Sequence, residues 1–383
     1  MEIYFDNSAT TRPLDEVLDY VYYLMKHVYG NPSSVHKLGI EAEKIIKKAK
    51  EYFFKYFDAD KGDIIFTSGG TEANNLSILG SIENLKKFGN HLITSKIEHP
   101  SVLNVFKNLE SKGFDVTYLN IDEFGRVKTD ELFESIKKET ILVSIMHVNN
   151  ETGAINDIEK IGEKIKKINN KTIFHVDGTQ SFGKLKIPCE KWKVDLFSCS
   201  AHKVNGPKGI GAIYCSDKVK LTPLFYGGGQ QKNIRSGTEN VPLVGGFGVA
   251  VKNSIDNFEK NYKIMKSVKD SLREKISTID DVIINTDPNF SAPHILNASF
   301  LGVRSEVLLH ALEADNIFIS AGSACSSRKK NYSHVLKEMG LNEALLESAV
   351  RFSFGEFNTL DEVEICYNSL VKNVKLLRKF VRK

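Results

Sequence analysis

The chain has 383 residues, 41% hydrophobic and 26% charged, with 52 Lys+Arg against 48 Asp+Glu and a net charge of +4. That apolar share excludes a disordered chain, which would bury too little surface to offset its ordering entropy. The near balance of charge gives no footprint for direct nucleic-acid binding. No apolar run approaches the ~18 residues that a bilayer crossing needs, so no membrane association is expected. Residues 1–11 lack the basic and apolar regions of a signal peptide, which together lead to a cytoplasmic expectation.

Five cysteines, Cys189, Cys199, Cys215, Cys325 and Cys366, form no CxxC pair and are odd in number. Free thiols fit better than a disulfide scaffold. The ten histidines contain no HxxxH pair, so no metal site is expected. The basic stretch at 372–383 reads as a solvated helix face with its cations near the helix C-terminus.

Taken in chain order, the first strong pattern is an amphipathic helix over 36–57. Leu38, Ala42, Ile45, Ile46, Ala49, Phe53 and Phe57 share one face, opposite Lys and Glu. Short β-rich runs follow at 63–67, 91–95, 115–119, 141–146, 172–176, 195–198 and 210–215. Several are apolar almost throughout, as strands buried on both faces are. Helical patterns lie between them, one of them at 160–168, and the alternation implies a mostly parallel α/β sheet. After about residue 245 the character changes. Residues 253–279 read as one long charged helix, followed by strands at 282–285 and 295–300. A helix at 306–314, a Gly/Ser-rich loop at 320–327 and helices at 333–338 and 360–379 complete a smaller α+β unit.

Five polar clusters stand just after predicted strands, where open α/β sheets form their ligand crevice. Ser68-Gly69-Gly70-Thr71-Glu72 opens a helix, and it suits either a tight capped turn or an anion at the helix N-terminus. Glu98-His99-Pro100 offers a ring that is either structural or stacked on a planar cofactor. Asn149-Asn150-Glu151-Thr152-Gly153 is a polar turn or a pair of amides that orient a ligand. Asp177-Gly178-Thr179-Gln180 ends an apolar strand with a carboxylate whose desolvation demands a partner, such as a protonated heterocyclic nitrogen. Ser198-Cys199-Ser200-Ala201-His202-Lys203, with Gly206-Pro207-Lys208-Gly209, holds a candidate Schiff-base lysine. An ordinary Lys, with a pKa of ~10.4, is a poor nucleophile at neutral pH, and desolvation would correct that. Together these supply a phosphate cradle, a stacking ring, a carboxylate and an amine, which are the needs of pyridoxal 5'-phosphate.

These clusters form part of long ordered motifs. They include Tyr4-Phe5-Asp6-Asn7-Ser8-Ala9-Thr10-Thr11, Gly30-Asn31-Pro32-Ser33-Ser34-Val35-His36, Ser68 to Asn75, and Arg235-Ser236-Gly237-Thr238-Glu239-Asn240. On them the chain resembles, along nearly its whole length, the cysteine desulfurases of the NifS/IscS type within the class V aminotransferase family. The resemblance implies a pyridoxal-phosphate-dependent transferase fold of type I. A large cofactor-binding domain would span 15–250, and a small domain of 1–14 with 251–383 would carry a catalytic Cys loop. It implies that Lys203 holds the cofactor, Asp177 pairs with the ring nitrogen, His99 stacks on the ring and moves protons, and Gln180 meets the phenolic oxygen. Gly70, Thr71, Ser200 and His202 would bind the phosphate, with Thr238 reaching the other subunit of a homodimer. Asn31, Asn150 and Arg351 would hold the substrate amino acid.

The resemblance further implies that Cys325, among small residues and followed by Arg328, Lys329 and Lys330, takes sulfur from L-cysteine as a persulfide. L-alanine would leave, and a protein acceptor would receive the sulfur for iron–sulfur cluster assembly or tRNA thiolation. The Gly322-Ser323-Ala324-Cys325 run places the chain with the NifS/IscS group and apart from the SufS-like one. One departure stands out: Gly227-Gly228-Gly229-Gln230-Gln231 occurs where the family often has Glu last. A selenocysteine lyase or another class V enzyme is the alternative within enzymes. A non-catalytic relative would be expected to lack Lys203, Asp177 or Cys325. A nucleotide-binding enzyme would be expected to open with G-x-G-x-x-G after its first strand, which this chain does not.

Overall fold

The computed structural model describes residues 2–321 and 332–380. Its strands are Ile3–Tyr4 (β1), Asp63–Thr67 (β2), His91–Ser95 (β3), Asp115–Leu119 (β4), Thr140–Met146 (β5), Ile173–Asp177 (β6), Leu196–Ser200 (β7), Gly211–Cys215 (β8), Val282–Ile284 (β9), Ile295–Phe300 (β10), Ile317–Phe318 (β11), Ser320–Ala321 (β12) and Ala349–Ser353 (β13).

Strands β2 to β8 form one sheet in the order β2-β8-β7-β6-β5-β3-β4. Only β8 runs against its neighbours, pairing antiparallel with both β2 and β7, while the other pairings are parallel. The C-terminal ends of β2, β3, β5, β6 and β7 therefore meet at one edge, and that edge gathers all five polar clusters. Helices cover both faces. Lys37–Phe57 is capped by His36, whose side chain accepts from the Gly39 amide, and it ends at Asp58 in a left-handed conformation. Its buried face carries Ala42, Ile46, Ala49, Phe53 and Phe57. Phe53 meets Phe66, Phe182 and Phe247 at ring separations of 5.7, 5.5 and 4.8 Å. Fully burying such a side chain contributes about 1.5–3 kcal/mol.

A second sheet, antiparallel throughout, has the order β12-β13-β10-β9. It has its own core of Phe300, Val350, Phe352, Val363 and Leu370, joined by Ile3 and Phe5 from the far end of the chain. β1 pairs with β11, and Asp6 bridges to Ser353. Residues 3–11 thus belong to the second body and then cross to the first, where Thr11 N donates to His202 O at 2.8 Å.

The long helix expected over 253–279 is two helices, Val241–Asp256 and Phe258–Ile276. Asn257 separates them, with φ −109° and ψ 13°, and its side-chain amide donates to Asn253 O at 3.4 Å. Such local side-chain bonds compete with the helical ladder. Cys189, Cys199, Cys215 and Cys366 are buried packing residues; Cys325 lies outside the described residues. Among the described residues no helix is long and apolar enough to cross a membrane.

Candidate active site

A cavity of about 360 Å³ opens at the shared strand edge. Its lining includes Ser8, Gly70, Thr71, Asn74, His99, Asn150, Asp177, Thr179, Gln180, Ser200, His202, Lys203 and Arg351. Ten residues singled out in the sequence therefore converge there: Gly70, Thr71, His99, Asn150, Asp177, Gln180, Ser200, His202, Lys203 and Arg351. Asn31 and Thr238 are exposed and stand outside that lining. Asn31 Oδ1 accepts from Ser33 N at 3.0 Å.

Lys203 sits in the turn Ala201–Lys203 that follows β7. Its amine donates to Ser8 O at 2.5 Å and Ala9 O at 2.8 Å. Burial, aided by the charge of Arg351, pulls its pKa from 10.5 down to about 8. A substantial share of the amine is then neutral, and nucleophilic, near physiological pH. His202, desolvated and beside Lys203 and Lys208, is lowered to about 4 and is neutral.

Asp177 ends β6 and is 5% exposed. Asn74 Nδ2 donates to its Oδ2 at 2.8 Å, and Thr179 N donates to its Oδ1 at 2.9 Å. Both oxygens are thereby fixed in direction. The following residue has to be glycine, because a Cβ on Gly178 would lie 1.7 Å from Phe197 Cζ. Asn74 also donates to Ser101 Oγ at 2.9 Å, and Ser101 Oγ lies 2.8 Å from His99 Nδ1. His99 and Asp177 are thus linked through two intermediate side chains. Glu98, fully buried, accepts from Ser95 Oγ at 2.6 Å and Met146 N at 3.0 Å. Burial pushes it up to about 8, and its bonds tie the His99 turn to β5.

The helix Gly70–Leu85 begins at the cavity. Close packing brings its leading turn onto β8, where a Cβ on Gly211 would lie 2.6 Å from the Gly69 carbonyl carbon. Arg351, on β13, spans the two bodies. Its Nη2 pairs with Asp6 Oδ1 at 2.8 Å and its Nη1 donates to Asn150 O at 2.8 Å, while Nε has no partner among the described residues. Of the two adjacent amides, only Asn150 lines the cavity. Asn149 is consumed by its own turn, its Oδ1 accepting from Glu151 N and Thr152 N at 2.9 and 3.0 Å.

Asn74, Thr179, Asp6, Ser8 and Ala9 stand within motifs read from sequence but were given no role there, and Ser101 was not singled out at all. Asn74 had a usable signal, since it lies four residues after Gly70 and so on the same helix face. Asp6 had none, because its partner is 345 residues away.

The chain belongs to the class V aminotransferase family, whose model matches residues 3–366. This family depends on pyridoxal 5'-phosphate. The cysteine desulfurase IscS of Buchnera aphidicola subsp. Baizongia pistaciae is 43% identical over 381 residues, covering 98% of this chain and 93% of that one. A solved NifS-like protein superposes with a TM-score of 0.92 at 36% identity, covering 98% and 99% of the two chains. The structure titled SspA in complex with cysteine gives 0.81 at 35% identity, covering 94% and 100%.

The residues present fit the cofactor. Ser200 Oγ and Gln180 Oε1 are buried at the cavity without hydrogen-bond partners among the described residues. A buried polar atom is costly unless it is bonded, so each is suited to a ligand's oxygen or hydroxyl. The Gly69-Gly70 turn, the directed Asp177 carboxylate and the neutralised Lys203 amine match a phosphate, a pyridinium nitrogen and an aldehyde. The volume is at the lower end of the ~300–1,000 Å³ usual for ligand pockets.

Proposed function

We propose that the chain is a pyridoxal-phosphate-dependent cysteine desulfurase that converts L-cysteine to L-alanine and passes the sulfur to a protein acceptor. The observation that carries this reading is the convergence of Lys203, Asp177 and Arg351 in one cavity, with the amine of Lys203 lowered to about 8.

When bound, the cofactor supplies an electron sink for the bonds at the substrate Cα. Lys203 Nζ would anchor it and, once displaced by the substrate amine, would take the Cα proton. Asp177 keeps the ring nitrogen protonated, its oxygens aimed by Asn74 and Thr179. Gly70, Thr71, Ser200 and His202 hold the phosphate, and Gln180 meets the phenolic oxygen. His99, at the cavity wall, stacks on the ring and shuttles protons. Arg351, held by Asp6 and Asn150, offers its free Nε to the substrate carboxylate, and Asn31 and Asn150 complete the substrate set. Cys325, assigned from sequence alone, takes the sulfur. The balance is one thiol plus L-cysteine giving one persulfide plus L-alanine, with no external oxidant.

We infer a homodimer as the working form, located in the cytoplasm. Leu18, Tyr22, Tyr23, Met25 and Tyr29 are exposed on or just after the helix Asp15–His27. Thr238 is likewise exposed, which suits its proposed reach to the other subunit's phosphate. We also propose the division into a cofactor domain of 15–250 and a smaller domain of 1–14 with 251–383. The separate sheets and cores support it.

The test is alanine and sulfide release from L-cysteine with a reductant, for wild type, Lys203→Ala and Cys325→Ala. Equal alanine and sulfide from wild type, lost in both variants, is expected. A yellow wild-type protein that releases no alanine would sink the substrate assignment.

A further inference from the structure

Residues 230–237 lie outside the cavity lining, yet they are fastened to both ends of the turn 68–72. Before the turn, β2 is an edge strand, with no neighbouring strand beyond it among the described residues. The side chain of Gln231 fills that edge. Its Oε1 accepts from Phe66 N at 2.7 Å and its Nε2 donates to Phe66 O at 2.8 Å. A single side-chain amide therefore makes, at Phe66, the two bonds that an adjoining strand would make. Next to it, Lys232 Nζ pairs with Asp63 Oδ2 at 2.9 Å. After the turn, Arg235 Nε pairs with Glu72 Oε1 at 2.9 Å. Glu72 Oε2 in turn accepts from Ser68 N at 2.8 Å, inside the turn itself. Gln230 Oε1 accepts from Gly237 N at 2.9 Å and closes the segment on itself.

The backbone that aims Gln231 is strained. Gln231, Lys232 and Asn233 have φ of 47°, 58° and 63°, three successive left-handed residues without a glycine. Such conformations persist only where surrounding bonds over-determine them, and they cluster at functional sites.

We propose that residues 230–237 form a strap that fixes the phosphate-binding turn from outside, with Gln231 as its positioning residue. This rests on the reading of 68–72 as the phosphate turn. The chemistry of the clasp requires an amide. A carboxylate only accepts, so it would meet the Phe66 N–H but set a charged oxygen against the Phe66 carbonyl. A protonated carboxyl donates and accepts, as the amide does. The charged groups facing this position are Asp63 on β2, Lys50 from the helix Lys37–Phe57, Lys232 on the strap, and the Glu72–Arg235 pair. Burial raises the carboxyls of Asp63 and Glu72, but Lys50 and Lys232, and Arg235 with Ser68, outweigh it, so both lie below their ordinary values. A carboxyl introduced at 231 would face Lys50, Lys232 and Arg235 and has an ordinary pKa of ~4.3, so it stays ionised at neutral pH.

The test compares equilibrium binding of pyridoxal 5'-phosphate and of pyridoxal, which lacks the phosphate, to the full chain stripped of cofactor. Gln231→Glu is expected to weaken binding of the phosphate ester about tenfold at neutral pH, with pyridoxal affected less than about twofold. Arg235→Lys keeps the charge but loses the fork, and is expected to show the same selective loss. Should Gln231→Glu fail to fold, Arg235→Lys carries the test. An unchanged ratio of the two affinities in the folded variants would overturn the strap. A wild-type chain that binds pyridoxal as tightly as its phosphate would sink the phosphate reading of the turn, a failure visible before any variant is compared.

Discussion

Asn74 is the residue whose removal tests the site most sharply. It is 1% exposed and does no chemistry itself. One amide nitrogen serves both Asp177 Oδ2 at 2.8 Å and Ser101 Oγ at 2.9 Å. Asn74→Ala leaves Asp177 with a single directing bond, from Thr179 N. A hydrogen bond to a charged group contributes about 1.5–3 kcal/mol, which converts to a loss of about 10- to 150-fold in kcat/KM for alanine release. Most of the loss should fall on kcat, because the proposed substrate residues Arg351 and Asn150 are untouched, and the absorbance of the bound cofactor should shift if Asp177 is the partner of its ring nitrogen as proposed. Steady-state alanine release and the visible spectrum of the holoenzyme measure both, with thermal unfolding as the folding control. A variant that folds, keeps kcat/KM within about twofold of wild type and shows an unmoved spectrum would refute the idea that Asp177 needs Asn74 to aim it.

Two further outcomes follow from groups already described. Lys203 is lowered to about 8 and must be neutral to attack an aldehyde, so the rate at which the stripped chain captures pyridoxal 5'-phosphate should rise about tenfold per pH unit below about 8 and level off above it. A rise that continues towards pH 10 in stopped-flow measurements would mean an ordinary lysine. Phe53 is fully buried among Phe57, Phe66, Phe182 and Phe247, and Phe53→Ala should cost about 3–5 kcal/mol in urea unfolding. A cost below about 1 kcal/mol would show that the ring cluster closes over the gap.

The central sheet was legible because its strands are continuous apolar runs ended by polar clusters, and their predicted limits fall within two residues of the observed ones. Strand β13 was not read as a strand. Val350 and Phe352 do alternate with Ala349, Arg351 and Ser353, but a buried arginine argues against a core strand unless its partner is known, and Asp6 is known only from the fold. The site was legible wherever a residue's type advertises its chemistry, as with Lys203 and Asp177. It was not legible where a residue acts by aiming another. Asn74 and Thr179 are ordinary polar residues until Asp177 is placed beside them. Gln231 was visible as a departure from a family pattern, yet its bond to Phe66 joins residues 165 apart, and no local pattern reports that.

The crossing segment at residues 3–11 has a consequence for how the molecule is made. Ser8 N donates to Ser353 Oγ across 345 residues of sequence at 2.8 Å, and Ser8 O is the nearest carbonyl to the Lys203 amine. At a synthesis rate of roughly 5–20 residues per second, this segment leaves the ribosome tens of seconds before β13 exists to receive it. The seven-stranded sheet can assemble in that interval, but one wall of its cavity cannot. The nascent chain thus carries the Lys203 amine without Arg351, whose charge helps lower its pKa, so the full enclosure of that amine arrives only once β13 has been made.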